Sequence, residues 1–289
     1  MRSEFGWQLR SRTLLLGQRT QIMGIVNVTP DSFSDGGAHA STIAAVDHAL
    51  RLLDEGADLL DVGGESTRPG APAATPHAIA ANDEQRRVLP VIQSVLRARP
   101  NAIVSVDTYR AATARLAIEA GAEIVNDVSG LLWDDAMAQT LSDLRCGAVL
   151  MHARGLPSEW TRLPSLEAEQ VLPTVHSGLQ ARLGDALAAG IARERIALDP
   201  GFGFGKRGAE NWALLAQLDH LNDLACPMLV GLSRKGFLAS SLPAHERDPQ
   251  THAANTVAVL AGAHVLRVHD VAGAIRAAGV ADAVLAAAS

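Results

Sequence analysis

The sequence is short of three things: cysteine, long apolar runs and positive charge. Only Cys146 and Cys226 occur, far apart and each beside apolar sequence, which argues against a disulfide framework and for two reduced core thiols in a cytoplasmic protein. Near the N-terminus the longest purely apolar run is Leu14-Leu15-Leu16, too short for a signal-peptide core and far too short for a membrane span. Lys and Arg number 25 against 31 Asp and Glu, a net charge of -6, so a nucleic-acid or anionic-membrane footprint is not expected. Any anionic ligand has to be met by a few local cations. What is present is ample core material: 48% of the 289 residues are hydrophobic and 19% charged, with no disorder signature and no linker to mark a second domain.

Eight short apolar runs recur along the chain, each ending in or beside a polar residue and followed by a helical pattern. They are 21–27, 59–62, 103–107, 124–127, 148–152, 196–199, 228–233 and 265–269. Continuous apolar runs suit strands buried on both faces of a parallel sheet. From Asn27 to Arg267 there are seven steps over 240 positions (267 minus 27), an average of about 34, the length of one βα unit. The expected fold is therefore a single-domain α/β (β/α)8 TIM barrel over residues 21–289, with residues 1–20 capping its bottom. An open doubly wound sheet is the rival, but eight regular units without a switch in pattern favour closure. Helix starts are expected at Ser41, at Thr75-Pro76 and at Asp134-Asp135, and helix exits at Gly56, Gly121, Gly190 and Gly262.

Catalytic residues of barrels come from the upper ends of several strands. The candidates are Asn27, Asp61, Asp107, Asn126, His152, Asp199, Ser233-Arg234-Lys235, Arg267 and His269. One such residue alone could simply bond to the next loop, but eight such endings together point to a site. The cations Arg234, Lys235, Arg267 and His269 gather after the last two runs, where barrels commonly bind phosphate. Closure brings Asn27 to that corner as an oxygen donor for a hydrated Mg²⁺, so a phosphorylated, metal-bridged ligand is expected there. Asp107, Asn126 and Asp199 offer acceptors and one amide, a set suited to a flat heterocycle with an amidine-like edge. Gly203-Phe204-Gly205-Lys206-Arg207-Gly208 matches a dinucleotide-binding pattern, yet it lies in the sixth unit without the acidic partner, and Arg207 stands where a P-loop needs Ser or Thr. A mobile substrate-facing loop is expected instead.

Taken in order, these residues resemble the dihydropteroate synthase family of folate biosynthesis over nearly the whole chain. The resemblance is carried by Asn27 to Gly37, Asp61 to Gly70, Ser105 to Thr108, Asn126-Asp127, Leu150 to His152, Asp199 to Lys206, Ser233 to Lys235 and Arg267 to Asp270. It implies condensation of 6-hydroxymethyl-7,8-dihydropterin diphosphate with 4-aminobenzoate in the presence of Mg²⁺. It implies pterin binding by Asp107, Asn126, Asp199 and Lys235, and diphosphate binding by Asn27, Arg267 and His269, with Asn27 also at the metal. The 4-aminobenzoate side would be Phe33, Thr67, Arg68, Pro69, Phe204 and Ser233. Catalysis would rest on Arg267, His269 and Lys235, with Asp35 as an electrostatic partner or else a turn residue before Gly36-Gly37. The resemblance further suggests a homodimer through the helices of the last units, and a sulfonamide target. Two rivals remain at this point: a pterin-binding methyltransferase barrel, which needs no diphosphate corner, and a non-catalytic pterin-binding protein, which need not keep Asp35, Thr67 and Arg68. Arg154, in the loop after the fifth run, is expected to face solvent.

Overall fold

The structure, a computed structural model of the chain, describes residues 2–28 and 37–288, and the side chains of these apart from 37–41. A hairpin of β1 (Phe5–Gln8) and β2 (Thr13–Leu16) comes first. Then β3 (Gln21–Asn27), α1 (Gly37–Asp54), β4 (Leu59–Gly63), α2 (Ala81–Ala98), β5 (Ile103–Asp107), α3 (Ala111–Glu119), β6 (Ile124–Asp127) and α4 (Met137–Leu144) alternate strictly. The second half continues with β7 (Gly147–Met151), α5 (Ala168–Ala188), β8 (Ile196–Asp199), α6 (Ala209–Ala216), β9 (Leu229–Val230), α7 (Asp248–Leu260), β10 (Val265–Val268) and α8 (Val271–Ala287).

All ladder pairs among β3 to β10 are parallel, in the order β8-β7-β6-β5-β4-β3-β10-β9. Leu198 bridges Met228, and its N–H donates to Pro227 O at 2.8 Å, which joins β8 to β9 and closes the ring. The sheet is a (β/α)8 barrel with its helices outside. Outward positions such as Val26, Val62, Val104, Val106, Val125 and Leu150 pack on buried helix residues, including Val88, Val91, Ile92 and Val95 of α2 at helical spacing. No described helix is long and apolar enough to cross a membrane.

Inward positions alternate with these, and they change character along the barrel axis. At the bottom Met23, Leu59, Ile124, Val149, Ala197, Leu229 and Val265 form a second apolar cluster with Trp7, Leu9 and Leu16 of the hairpin region. Trp7 is fully buried, its indole N–H donating to Arg195 O at 2.9 Å. Arg2 ties the same end to the last helix through Asp282 at 2.9 Å and Ala263 O at 3.1 Å.

The helix starts differ from expectation. α1 begins at Gly37, ahead of Ser41, and α2 begins at Ala81, well after Thr75-Pro76. Thr75 instead bonds inside the preceding loop, its N–H and hydroxyl both donating to Pro72 O, so the polar residue makes a turn rather than a cap. Asp134 accepts from Ala136 N just ahead of α4 and also from Ala111 N, at the first turn of α3. Gly56, Gly121, Gly190 and Gly262 all take left-handed backbone just after helices end, as expected.

Candidate active site

Two residues above the apolar floor, the inward positions turn polar: Asp61 on β4, Ser105 on β5, Asn126 on β6 and Arg267 on β10. The ring above that carries Asn27, Asp107, Asp199, Ser233 and His269. Asn27, Thr67, Arg68, Pro69, Asp107, Asn126, Asp199, Phe204, Ser233, Lys235, Arg267 and His269 all line one cavity of about 1010 Å³ at the C-terminal ends of the strands. Every proposed site residue whose side chain is described therefore converges there. Phe33 and Asp35 lie outside the described residues.

Arg267 lies across the floor of this cavity. Its Nε donates to Asp61 Oδ2 at 2.6 Å and a terminal nitrogen donates to Asp107 Oδ2 at 2.7 Å. Asn126 Nδ2 donates to the same Asp61 oxygen at 2.9 Å. Burial pushes the Asp107 carboxyl up to about 7, although the Arg267 charge opposes the rise and the Asp61 charge adds to it. Asp199 is likewise pushed up to about 6 by burial, against the N–H of Gly201, which it accepts at 2.7 Å, and against the charge of Lys235. Two carboxyls that titrate just below neutrality can both become acceptors for ring N–H groups at physiological pH.

Lys235 holds its Nζ 4.3 Å from the centroid of the Phe204 ring, which Trp160 meets edge-on at 5.0 Å. Burial and the nearby Arg267 lower the ammonium to about 8, so it remains mostly charged at pH 7. His269, grouped with the cations on sequence, is instead neutral, because burial and the charges of Arg234 and Arg267 press it down to about 3. Its backbone N–H donates to Ser233 Oγ at 3.1 Å, and Ser233 Oγ meets its Nδ1 at 2.9 Å. The hydroxyl then donates to Nδ1 and leaves Nε2–H as a donor. Ser233 thus sits against His269, and both line the cavity with Thr67, Arg68, Pro69 and Phe204. Arg234 lines the same cavity with its guanidinium committed to Asp248, through two nitrogens each at 2.8 Å.

The glycine-rich loop after β8 lines the cavity, as expected, and is bonded to the loop after β7. Gly201 has φ of 66°, and a Cβ there would lie 2.0 Å from His152 O, so its glycines serve close packing of two loops. Lys206, 2% exposed, donates to His152 Nδ1 at 2.9 Å, His152 O at 3.2 Å and Phe204 O at 3.1 Å. Burial lowers it to about 7 and lowers His152 to about 2. Arg154 does not face solvent: it donates to Gly205 O and Pro164 O, both at 3.0 Å, and lies 3.6 Å from Glu210. His152, a candidate by position, is thereby a support for the loop that presents Phe204.

The loop after β4 is tied from below. Arg110 meets Glu65 at 2.6 Å and the buried Glu84 at 3.2 Å, while Tyr109 OH accepts from Ala74 N at 2.9 Å. These bonds hold Thr67, Arg68 and Pro69 at the cavity edge. Among the described residues no three His, Cys, Asp or Glu side chains converge as a metal cage. Asn27 offers one neutral oxygen at the edge, beside Arg267 and His269. Such a donor set fits Mg²⁺ that arrives with phosphate oxygens and keeps most of its water.

The profile of the pterin binding enzyme family matches residues 23–269. The dihydropteroate synthase of Escherichia coli is 39% identical over 92% of this chain and 92% of its own. The chain belongs to the dihydropteroate synthase family of pterin-binding enzymes.

The chain spans about half, 54%, of a bifunctional mitochondrial folate-synthesis protein of Pisum sativum that is 38% identical. Among solved structures, a Xanthomonas albilineans dihydropteroate synthase with 4-aminobenzoic acid is 43% identical, covers 99% of each chain and superposes with a TM-score of 0.87. The Yersinia pestis dihydropteroate synthase, solved with a sulfonamide drug, is 36% identical over 98% of this chain, with a TM-score of 0.88. This membership decides between the readings left open on sequence: the chain is a transferase of the synthase type, in folate biosynthesis, rather than a methyltransferase or a non-catalytic binder. The signals missed on sequence are Asp61 as a partner of Arg267 and Lys206 as a buried anchor. Asp61 was visible as a strand ending, but its pairing needs the closed barrel.

Proposed function

We propose that the chain joins 6-hydroxymethyl-7,8-dihydropterin diphosphate to 4-aminobenzoate, releasing 7,8-dihydropteroate and diphosphate. What carries the reading is the convergence of twelve motif residues on one cavity, which brings acceptors, cations and an aromatic ring together. Asp107, Asn126, Asp199 and Lys235 would hold the pterin edge. Asn27, Arg267 and the Nε2–H of His269 would take the diphosphate. Phe33, Thr67, Arg68, Pro69, Phe204 and Ser233 would take 4-aminobenzoate.

The arylamine is neutral at pH 7 and attacks the pterin methylene without a strong base. The methylene C–O bond to diphosphate breaks, the C–N bond forms, and the amine gives up one proton. Charge collects on the leaving diphosphate, where Arg267 is a full cation and His269 a neutral donor, so leaving-group stabilisation dominates. Mg²⁺ held by Asn27, water and the diphosphate would add further neutralisation of that charge. The electron-rich pterin shares the cationic character left at the methylene, and Asp35 is assigned to face it. The 4-aminobenzoate sector is also assigned to sulfonamides.

We read residues 1–20 as a cap on the barrel and 21–289 as its catalytic body. A homodimer is supported by exposed apolar residues on the adjacent α7 and α8, Val257 at 47%, Leu260 at 44%, Val280 at 63% and Val284 at 51%. Two free, buried cysteines support a cytoplasmic location. The test is diphosphate release from the pterin diphosphate with and without 4-aminobenzoate. Release dependent on 4-aminobenzoate is expected; none at micromolar enzyme would sink the reading.

A further inference from the structure

Asp61 is fully buried and does not itself line the cavity, but it bonds two residues that do, Arg267 and Asn126. One of its oxygens, Oδ2, accepts from both Arg267 Nε and Asn126 Nδ2. Oδ1 has no partner among the described residues, nor has Ser105 Oγ, which lies at the register-paired position on β5. A buried carboxylate oxygen left unpaired is costly, so what Asp61 contributes comes through the two bonds that Oδ2 accepts. Its effect is on the two groups it holds.

We propose that Asp61 is a positioning residue that couples the pterin and diphosphate halves of the site. The proposal rests on the assignment of those halves above. Arg267 has two attachments. The Nε bond to Asp61 is out of a ligand's reach, whereas the terminal-nitrogen bond at 2.7 Å ends on Asp107, which lines the cavity and is needed by the pterin edge. Arg267 takes only Oδ2 of Asp107, and ring N–H groups that bond the same carboxylate draw on the same negative charge and weaken its hold on Arg267. Pivoted on Asp61, the guanidinium then turns its terminal N–H groups to the diphosphate without losing its position. Asn126 is set by the same oxygen: with Nδ2 committed to Asp61, its carbonyl oxygen is the atom left for the pterin. Pterin arrival thus unlocks the anion site, and a diphosphate without a pterin meets an arginine already taken.

The test measures binding of inorganic diphosphate with and without saturating 6-hydroxymethylpterin, in the wild type and in Asp61→Asn. The wild type is expected to bind diphosphate about tenfold more tightly when the pterin is present, within the usual range of coupling between sites. In Asp61→Asn that enhancement falls below about twofold. The same variant loses about tenfold or more in kcat/KM for the pterin diphosphate while KM for 4-aminobenzoate stays within about twofold, a split that a general loss of folded protein does not produce. No enhancement in the wild type, wild-type coupling in Asp61→Asn, or equal losses for both substrates would overturn the proposal. The wild-type measurement stands even where the variant fails to fold. A wild type that releases no diphosphate in response to 4-aminobenzoate would defeat the reading of function instead, so the two failures are distinct.

Discussion

Replacing Arg267 by alanine separates the two substrate halves most cleanly. In the free protein the guanidinium makes two charge-assisted bonds, to Asp61 at 2.6 Å and to Asp107 at 2.7 Å. Each such bond is worth about 1.5–3 kcal/mol. On substrate binding the Asp107 bond is given up and two bonds to diphosphate oxygens can form, a net gain of one bond, about 1.5–3 kcal/mol, or about 10- to 150-fold in affinity. Arg267→Ala removes that gain from pterin diphosphate. From the pterin alcohol it removes no bond: the ring no longer competes with the guanidinium for Asp107, while the lost cation makes that carboxyl easier to protonate, and the two effects oppose. The expected result by titration calorimetry is a loss of about 10- to 150-fold for the diphosphate ester and a much smaller change for the alcohol. The variant also leaves two carboxylates buried without their cation. Asp107 titrates at about 7 in the fold against 3.8 for an ordinary aspartate, so the folded state binds the extra proton between these values and stability falls as pH rises through that window. Without Arg267 the window extends to higher pH, so the variant is weaker at pH 8 than at pH 6. Equal affinity losses for ester and alcohol would refute the reasoning.

Other outcomes follow from the same geometry. The kcat/KM for pterin diphosphate rises between about pH 6 and 7, as Asp199 and Asp107 become acceptors, and falls above about 8 as Lys235 loses its proton; a flat profile over pH 5.5–9 would contradict these roles. Lys206 loses its proton at about 7 in the fold against 10.5 for an ordinary lysine, so the unfolded state holds more protons between these values and stability rises with pH there. Lys206→Met flattens that rise in urea unfolding at pH 7, 8 and 9, and equal slopes in the two proteins would count against a buried ammonium. Trp7→Ala empties the centre of the lower cluster and costs about 3–5 kcal/mol in urea unfolding, whereas a loss below about 1 kcal/mol would show that the hairpin does not share the core.

The strands and their upper ends were legible because a strand buried on both faces has to be apolar, and the first polar inward residue marks the end of that burial. Asp107, Asn126 and Asp199 stand out in sequence for this reason. Partnerships were not legible. Asp61 and Arg267 are 206 residues apart and meet only when the last strand pairs with the first. Thr75-Pro76 carries the local signature of a helix start, but Thr75 satisfies its own loop first, and the amphipathic stripe of α2 begins several residues on. Charge state was hidden too. His269 and Lys235 follow the last two strands together, yet burial among cations strips the imidazole of charge and leaves the more basic amine mostly protonated.

The hairpin at the bottom of the barrel has a consequence for how the chain is made. Its tryptophan packs into a cluster that draws on strands as far along as Val265, and Arg2 bonds to Asp282 in the last helix. Synthesis delivers the N-terminus first, so the earliest residues wait through nearly the whole length of the chain for their neighbours. The socket for Trp7 is complete only when β10 is in place, so a fully seated tryptophan reports that the ring above it has closed.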